Sequence, residues 1–97
     1  MSNTRFDAVL LSPNDNVLCL LRTMKAGEQP AAEGANPSAL LQDTDLGHKV
    51  ALTDIQSGAP VLKYGEIIGQ ATRAISAGEH VHLHNMTDPD NSGVSGQ

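Results

Sequence analysis

Two segments of this chain, Asp54-Ile55-Gln56-Ser57-Gly58-Ala59-Pro60-Val61 and Ala74-Ile75-Ser76-Ala77-Gly78-Glu79-His80-Val81, share the pattern Ile-x-x-Gly-x-x-Val. Met24-Lys25-Ala26-Gly27-Glu28 is a weaker third copy. A glycine at a fixed step after an apolar residue marks a reversal that needs positive φ, and the apolar residue beyond it marks a strand. Each copy therefore reads as one turn of helix ending at Ile, a glycine, then a strand beginning near Val. Glycines at 47, 58, 65, 69 and 78 punctuate the second half in the same way. Short turns that feed short strands predict a small all-β fold with short helical turns.

The first half supplies further strands. Phe6-Asp7-Ala8-Val9-Leu10-Leu11 reads as a strand halted by Ser12-Pro13-Asn14-Asp15-Asn16, whose residues favour turns. Val17 to Leu21 is an apolar run without polar alternation, which suits a strand covered on both faces, with Cys19 inside it. Residues 29 to 45 are rich in Ala, Pro, Asn, Gln and Asp and read either as a surface loop covering one side of a barrel or as a helical turn at Ala39-Leu40-Leu41. His48 to Leu52 and Pro60 to Tyr64 are two more strand-like runs, and Gly65 to Gly69 has a hairpin-like setting. Met86 to Gln97 has no periodic apolar positions, so the reading is a domain over 1–85 and a polar tail or linker over 86–97.

A chain of 97 residues fits one domain. Phe6 and Tyr64 are its only aromatic residues, so the core must come from Val, Leu, Ile, Ala and Met, and Tyr64 is read as capping it. Such a core is small. Cys19 is the only cysteine, which excludes an intrachain disulfide and leaves a partner surface, self-association included, or a metal as the source of added stability. No apolar run approaches the roughly 20 residues that span a bilayer, and no basic leader precedes one, so a soluble cytoplasmic protein is expected. Six Lys and Arg against eleven Asp and Glu give a net charge of −5, which opposes attraction to phosphate backbones. Neither nucleic acid nor membrane is expected as a partner, while local cations such as Lys49, Lys63 and Arg73 can still dominate one cleft.

Three of the four histidines fall at positions 80, 82 and 84. On a strand, alternate side chains share a face, so these imidazoles converge. Converging imidazoles can ligate zinc, iron or related metals, with His48 or Glu79 completing the set. They can also face a partner's active site to transfer protons or bind an anion. Against the metal reading, same-face residues on a straight strand stand about 6–7 Å apart, too far to share one ion. Gly47-His48-Lys49 places an imidazole and an ammonium at a strand start, and Lys63-Tyr64-Gly65 adds a cation at a sharp turn. Cys19, in an apolar run with no neighbouring histidine in sequence, is expected to be inert. No phosphate-binding glycine loop, paired-cysteine zinc motif or nucleophile elbow is present.

Taken as a string, Gly47 to Ile55, Gly58, Lys63-Tyr64-Gly65, Ile68-Gly69 and Ala77-Gly78-Glu79-His80-Val81-His82-Leu83-His84-Asn85 resemble the N-terminal domain, or separate small subunit, of the altronate/galactarate dehydratase family. Asp15-Asn16-Val17 and Ala26-Gly27-Glu28 extend the resemblance upstream. It covers residues 6 to 85 and departs at residues 29 to 45, where relatives tend to continue with short strands. The resemblance implies a β-clip of the SAF type. It also implies a role beside a larger catalytic portion that dehydrates sugar acids to 2-keto-3-deoxy acids with a divalent metal, iron or manganese. On that reading His48, His82 and His84 are the catalytic candidates, Lys49, Lys63, His80 and Asn85 contact the anionic sugar acid, and His80, His82 and His84 are the metal candidates. The partners implied are the large catalytic domain or subunit of the same lyase and its substrate, and the chain is not expected to be active alone. The rival readings are a non-catalytic carbohydrate- or protein-binding module, a purely structural subunit, and the small subunit of a related lyase such as sulfolactate sulfo-lyase.

Overall fold

The computed structural model describes residues 6–87. Among the described residues six strands occur, β1 (Ala8–Val9), β2 (Val17–Leu20), β3 (Lys49–Ala51), β4 (Pro60–Lys63), β5 (Glu66–Gln70) and β6 (His80–Val81). β1, β2, β3 and β6 form an antiparallel sheet in that order, and β4 pairs with β5 as a separate hairpin. The all-β expectation holds, but the described residues contain no helix, so the short helical turns are corrected.

What replaces them explains the repeat. Ile55 and Ile75 exchange both backbone hydrogen bonds at 2.8 Å, and each then enters a four-residue turn closed by Ala59 N–H to Gln56 and Glu79 N–H to Ser76. Gly58 and Gly78 occupy the third position of those turns at φ 85° and 87°, the conformation of a type II turn. Met24 and Thr44 form a second such exchange at 2.9 and 2.8 Å, followed by equivalent turns containing Gly27 and Gly47. The pattern thus has four copies working as two interlocked pairs. Asp43-Thr44-Asp45-Leu46-Gly47-His48-Lys49-Val50 is the fourth, hidden in the sequence because a threonine stands where the other copies have Ile or Met. Side chains lock the pairs across: Thr23 Oγ1 accepts Leu46 N–H, Asp43 Oδ1 accepts Ala26 N–H, and Asp54 Oδ1 accepts Ala77 N–H.

Because neighbouring residues on a strand point to opposite faces, β2 and β3 feed two cores. Val17 and Ala51 pack with Ile55, Val61, Ile75, Val81 and Met86 on one face. Leu18, Leu20 and Val50 pack with Ala8, Met24, Ala32 and Leu40 on the other. Val17, Leu18 and Leu20 are therefore covered on both sides of the run, as its composition implies, while Cys19 is partly exposed and Leu21 exposed. Ala32 and Leu40 come from the segment 29–45, which is a loop without helix that covers the second core. Met86 is buried and bridges Ala71, and Thr87 bonds to Gln70, so the fold extends past residue 85. The remainder of the expected tail, 88–97, lies outside the described residues.

The β4–β5 hairpin is docked by two adjacent side chains. Asn16 accepts Leu62 N–H on Oδ1 at 2.8 Å and donates from Nδ2 to the Pro60 carbonyl at 3.0 Å, acting as one more peptide group along β4. The carboxylate of Asp15, only 5% exposed, accepts the N–H groups of Tyr64 at 2.9 Å and Gly65 at 2.7 Å. Both tip residues have positive φ, 60° and 74°, as a two-residue hairpin loop of the primed type requires. The Tyr64 ring is 68% exposed, which corrects the expectation that it caps the core: its backbone is held and its side chain faces outward.

Candidate functional site: a histidine cluster beside two lysines

β6 ends at Val81, so His82 and His84 do not lie on a strand. The imidazoles still gather, by a different cause from the strand alternation expected. The antiparallel register Lys49↔Val81 and Val50↔His80 carries His48 alongside His82 at the next step, with ring centroids 5.6 Å apart. Beyond it the chain turns, closed by Asn85 N–H to the His82 carbonyl at 3.0 Å, and this returns His84 to within 5.3 Å of His80. His80 and His82 stack at 5.8 Å with 9° between their planes. At the centre His48 Nδ1 and His80 Nε2 are 2.8 Å apart.

The turn is built around Asn85, whose side chain is fully buried. Its Oδ1 accepts His82 N–H at 3.0 Å, and its Nδ2 donates to the His80 carbonyl at 2.8 Å and reaches Glu79 at 3.4 Å. Expected to contact substrate, Asn85 instead positions the histidines from within. Gln42, from the loop 29–45, was not singled out in the sequence, yet its Oε1 accepts the His80 N–H at 2.9 Å. His80 is therefore held by both backbone groups. Glu79 is committed elsewhere, to Ser76 N–H and to the Arg73 guanidinium at 3.1 Å, and is not free to complete a ligand set.

Electrostatically the surroundings of the cluster are set by which cations on this acidic protein are already paired. Arg22 is paired with Asp7 and Glu28, and Arg73 with Glu79. Among the described residues, Lys49, Lys63 and the four histidines have no ion-pair partner. Burial, then the nearby Lys63 ammonium, lowers the pKa of half-buried Lys49, partly offset by Cys19, its cross-strand neighbour. Burial lowers the pKa of His80, and the neighbouring His48, His84, His82 and Lys49 charges lower it further. At neutral pH His80 is thus a neutral base, with the Lys49 ammonium near enough to act on it. Cys19 lies within β2, as expected, and is partly exposed.

The described residues contain no group of three His, Cys, Asp or Glu side chains placed to hold a metal ion. No helix is long and apolar enough to cross a membrane among them. The arrangement can bind an anion at Lys49 and Lys63 and exchange protons at the imidazoles.

Comparison with known proteins gives the family. Residues 6–89 match the altronate/galactarate dehydratase SAF domain. The chain is 40% identical over 77 residues to altronate dehydratase of Bacillus subtilis, covering 79% of this chain and 15% of that protein. It is 46% identical over 71 residues to altronate dehydratase of Escherichia coli, covering 73% and 14%. It is also 46% identical over 43 residues to the (2R)-sulfolactate sulfo-lyase subunit alpha of Paracoccus pantotrophus, covering 44% and 64%. The chain thus corresponds to a small part of the length of the dehydratases it matches, and it belongs to the altronate/galactarate dehydratase SAF domain family.

Proposed function

We propose that this chain is the SAF module of a sugar-acid dehydratase of the altronate/galactarate type, working beside a larger catalytic portion. The observation that carries the reading is the gathering of His48, His80, His82 and His84, with Lys49 near enough to act on His80, in a family whose relatives are named dehydratases. Dehydration of a sugar acid removes the proton alpha to the carboxylate and expels the neighbouring hydroxyl as water, and the resulting enol becomes a 2-keto-3-deoxy acid. The reaction needs a cation for the carboxylate, a base for the carbon acid and an acid for the leaving hydroxyl. Lys49 and Lys63 supply the first. A neutral His80 is in the protonation state of a base, and the exposed His82 and His84 are placed to deliver a proton to a substrate held by the partner. The divalent iron or manganese that the family implies finds no ligand set among the described residues, so in this proposal the larger portion holds it.

The test mixes this chain with the larger portion of the Bacillus subtilis altronate dehydratase, stripped of its own SAF segment, and follows 2-keto-3-deoxy acid formation from altronate or galactarate with ferrous or manganous ion. Turnover in the mixture and not from the chain alone supports the proposal. Turnover by the chain alone contradicts it. A sulfo-lyase partnership is the second reading, favoured by matches of 44% and 46% identity to small alpha subunits. Sulfite release from sulfolactate in place of sugar-acid dehydration would select it.

A further inference from the structure

The four turn copies share a backbone course around Met24, Thr44, Ile55 and Ile75, the residues that bridge in pairs. Two side chains set them apart, the one two places before the bridging residue and the one four places after it. In two copies these are an arginine and a glutamate. Arg22 meets Glu28 at 3.0 Å around Met24, and Arg73 meets Glu79 at 3.1 Å around Ile75. Each glutamate also fastens its own turn, accepting Lys25 N–H or Ser76 N–H at 2.9 Å. Around Ile55 the same places hold Thr53 and Ala59, and the turn still closes, Ala59 N–H donating to the Gln56 carbonyl at 2.9 Å. The turn therefore forms without the ion pair.

Around Thr44 those places hold Gln42 and His48. No bond joins the two side chains to each other among the described residues. Both reach His80 instead: Gln42 Oε1 accepts the His80 N–H at 2.9 Å, and His48 Nδ1 lies 2.8 Å from His80 Nε2. Two positions that elsewhere tie a turn to itself here grip one residue of another turn, by its backbone and by its ring. An amide oxygen can do this and the arginine of the other copies cannot, because a guanidinium has no acceptor. Gln42 is exposed, so core packing does not account for it.

We propose that Gln42 is a positioning residue for the reaction: it acts through His80, whose backbone it fixes so that the ring stays against His48 where a substrate held by the larger portion meets it. That the positioned ring serves dehydration rests on the dehydratase reading. The positioning itself rests on the departure of this copy from the other three and on the two contacts to His80.

The test compares Gln42→Met, which keeps the length of the side chain and loses the acceptor, with Gln42→Glu, which keeps an acceptor oxygen. In the chain alone, NMR records the His80 amide signal and the cross-relaxation between the His48 and His80 rings, alongside the melting temperature. In the mixture with the larger portion of the dehydratase, kcat and KM are measured. Gln42→Met is expected to shift the His80 amide signal and weaken the ring contact while the melting temperature stays at the wild-type value. Its kcat should fall by about tenfold or more with KM changed by less than about twofold, a misplaced reacting group being able to lose about 100-fold. Gln42→Glu is expected to recover both the ring contact and kcat. A wild-type ring contact and kcat in Gln42→Met, or a Gln42→Glu variant no better than Gln42→Met, would overturn the proposal. So would a melting temperature lowered in step with those losses, which would make Gln42 part of the scaffold alone. If the wild-type mixture turns nothing over, the dehydratase reading falls, and the ring contact in the chain alone still decides the positioning.

Discussion

Asn85 holds His80 by its carbonyl at 2.8 Å from a position with no solvent exposure, five positions further along the chain. Removing the amide leaves the His82 N–H and the His80 carbonyl without this partner and opens a void. Asn85→Ala is expected to cost about 2–4 kcal/mol, combining unmade buried hydrogen bonds with lost packing. Urea unfolding measures this, and NMR of the histidine rings should show the 48–80 contact loosened. A loss below about 0.5 kcal/mol would contradict the positioning role assigned to Asn85.

Gly78 and Gly27 occupy equivalent turns at φ 87° and 91°, yet their surroundings differ. A Cβ at Gly78 would strike the Ala39 carbonyl oxygen, whereas one at Gly27 would meet nothing. Gly27→Ala should cost about 1–2 kcal/mol from the left-handed backbone alone. Gly78→Ala should cost more, because a backbone carbonyl must also move. Thermal unfolding of a domain this size shifts by about 4–8 °C per kcal/mol, so the two variants separate readily. Equal melting temperatures would refute the close approach of the loop to this turn.

These turns also show how much of the fold was legible in the sequence. The pattern Ile-x-x-Gly-x-x-Val announced turns and short strands because a glycine forced to positive φ leaves a mark on composition. It was misread as a helical turn because Ile55 and Ile75 reach their hydrogen-bond partners in each other, and long-range pairing leaves no local signature. The clustering of histidines was expected, but from a strand that ends at Val81, and its builders Gln42 and Asn85 act through contacts invisible to spacing. Tyr64 was assigned to the core on aromatic character alone. Its exposure follows from Asp15, distant in sequence, which fixes the hairpin tip so that the ring points out.

The carboxylate of Asp15 accepts two N–H groups at that tip. Hydrogen bonds to a charged acceptor contribute about 1.5–3 kcal/mol each, so Asp15→Ala should cost about 3 kcal/mol or more and Asp15→Asn, which keeps one acceptor oxygen, less. Amide exchange at Tyr64 and Gly65 should accelerate in both. Unchanged exchange would mean that the hairpin tip is held by its own turn chemistry.

The lowered pKa of His80 has a defined consequence for stability against pH. In the unfolded chain this imidazole titrates at its ordinary value near 6.5, while in the fold it binds its proton less readily. Between those two values the unfolded state carries more protons, so stability is complete above about pH 6.5 and declines as the pH falls through the window below it. His80→Gln should flatten that decline in urea unfolding measured at successive pH values. A slope equal to that of the wild type would show that other groups cause it.

The central claim is that the gathered imidazoles act on a substrate held with the larger catalytic portion. It is tested most directly by the turnover of that complex with His82→Ala and His84→Ala combined in this chain, assembly being checked by co-elution. The account predicts that the complex forms and that 2-keto-3-deoxy acid production falls by about 100-fold or more, the scale of a lost acid–base group. Intact assembly with unchanged turnover would contradict it and make this chain a structural partner alone.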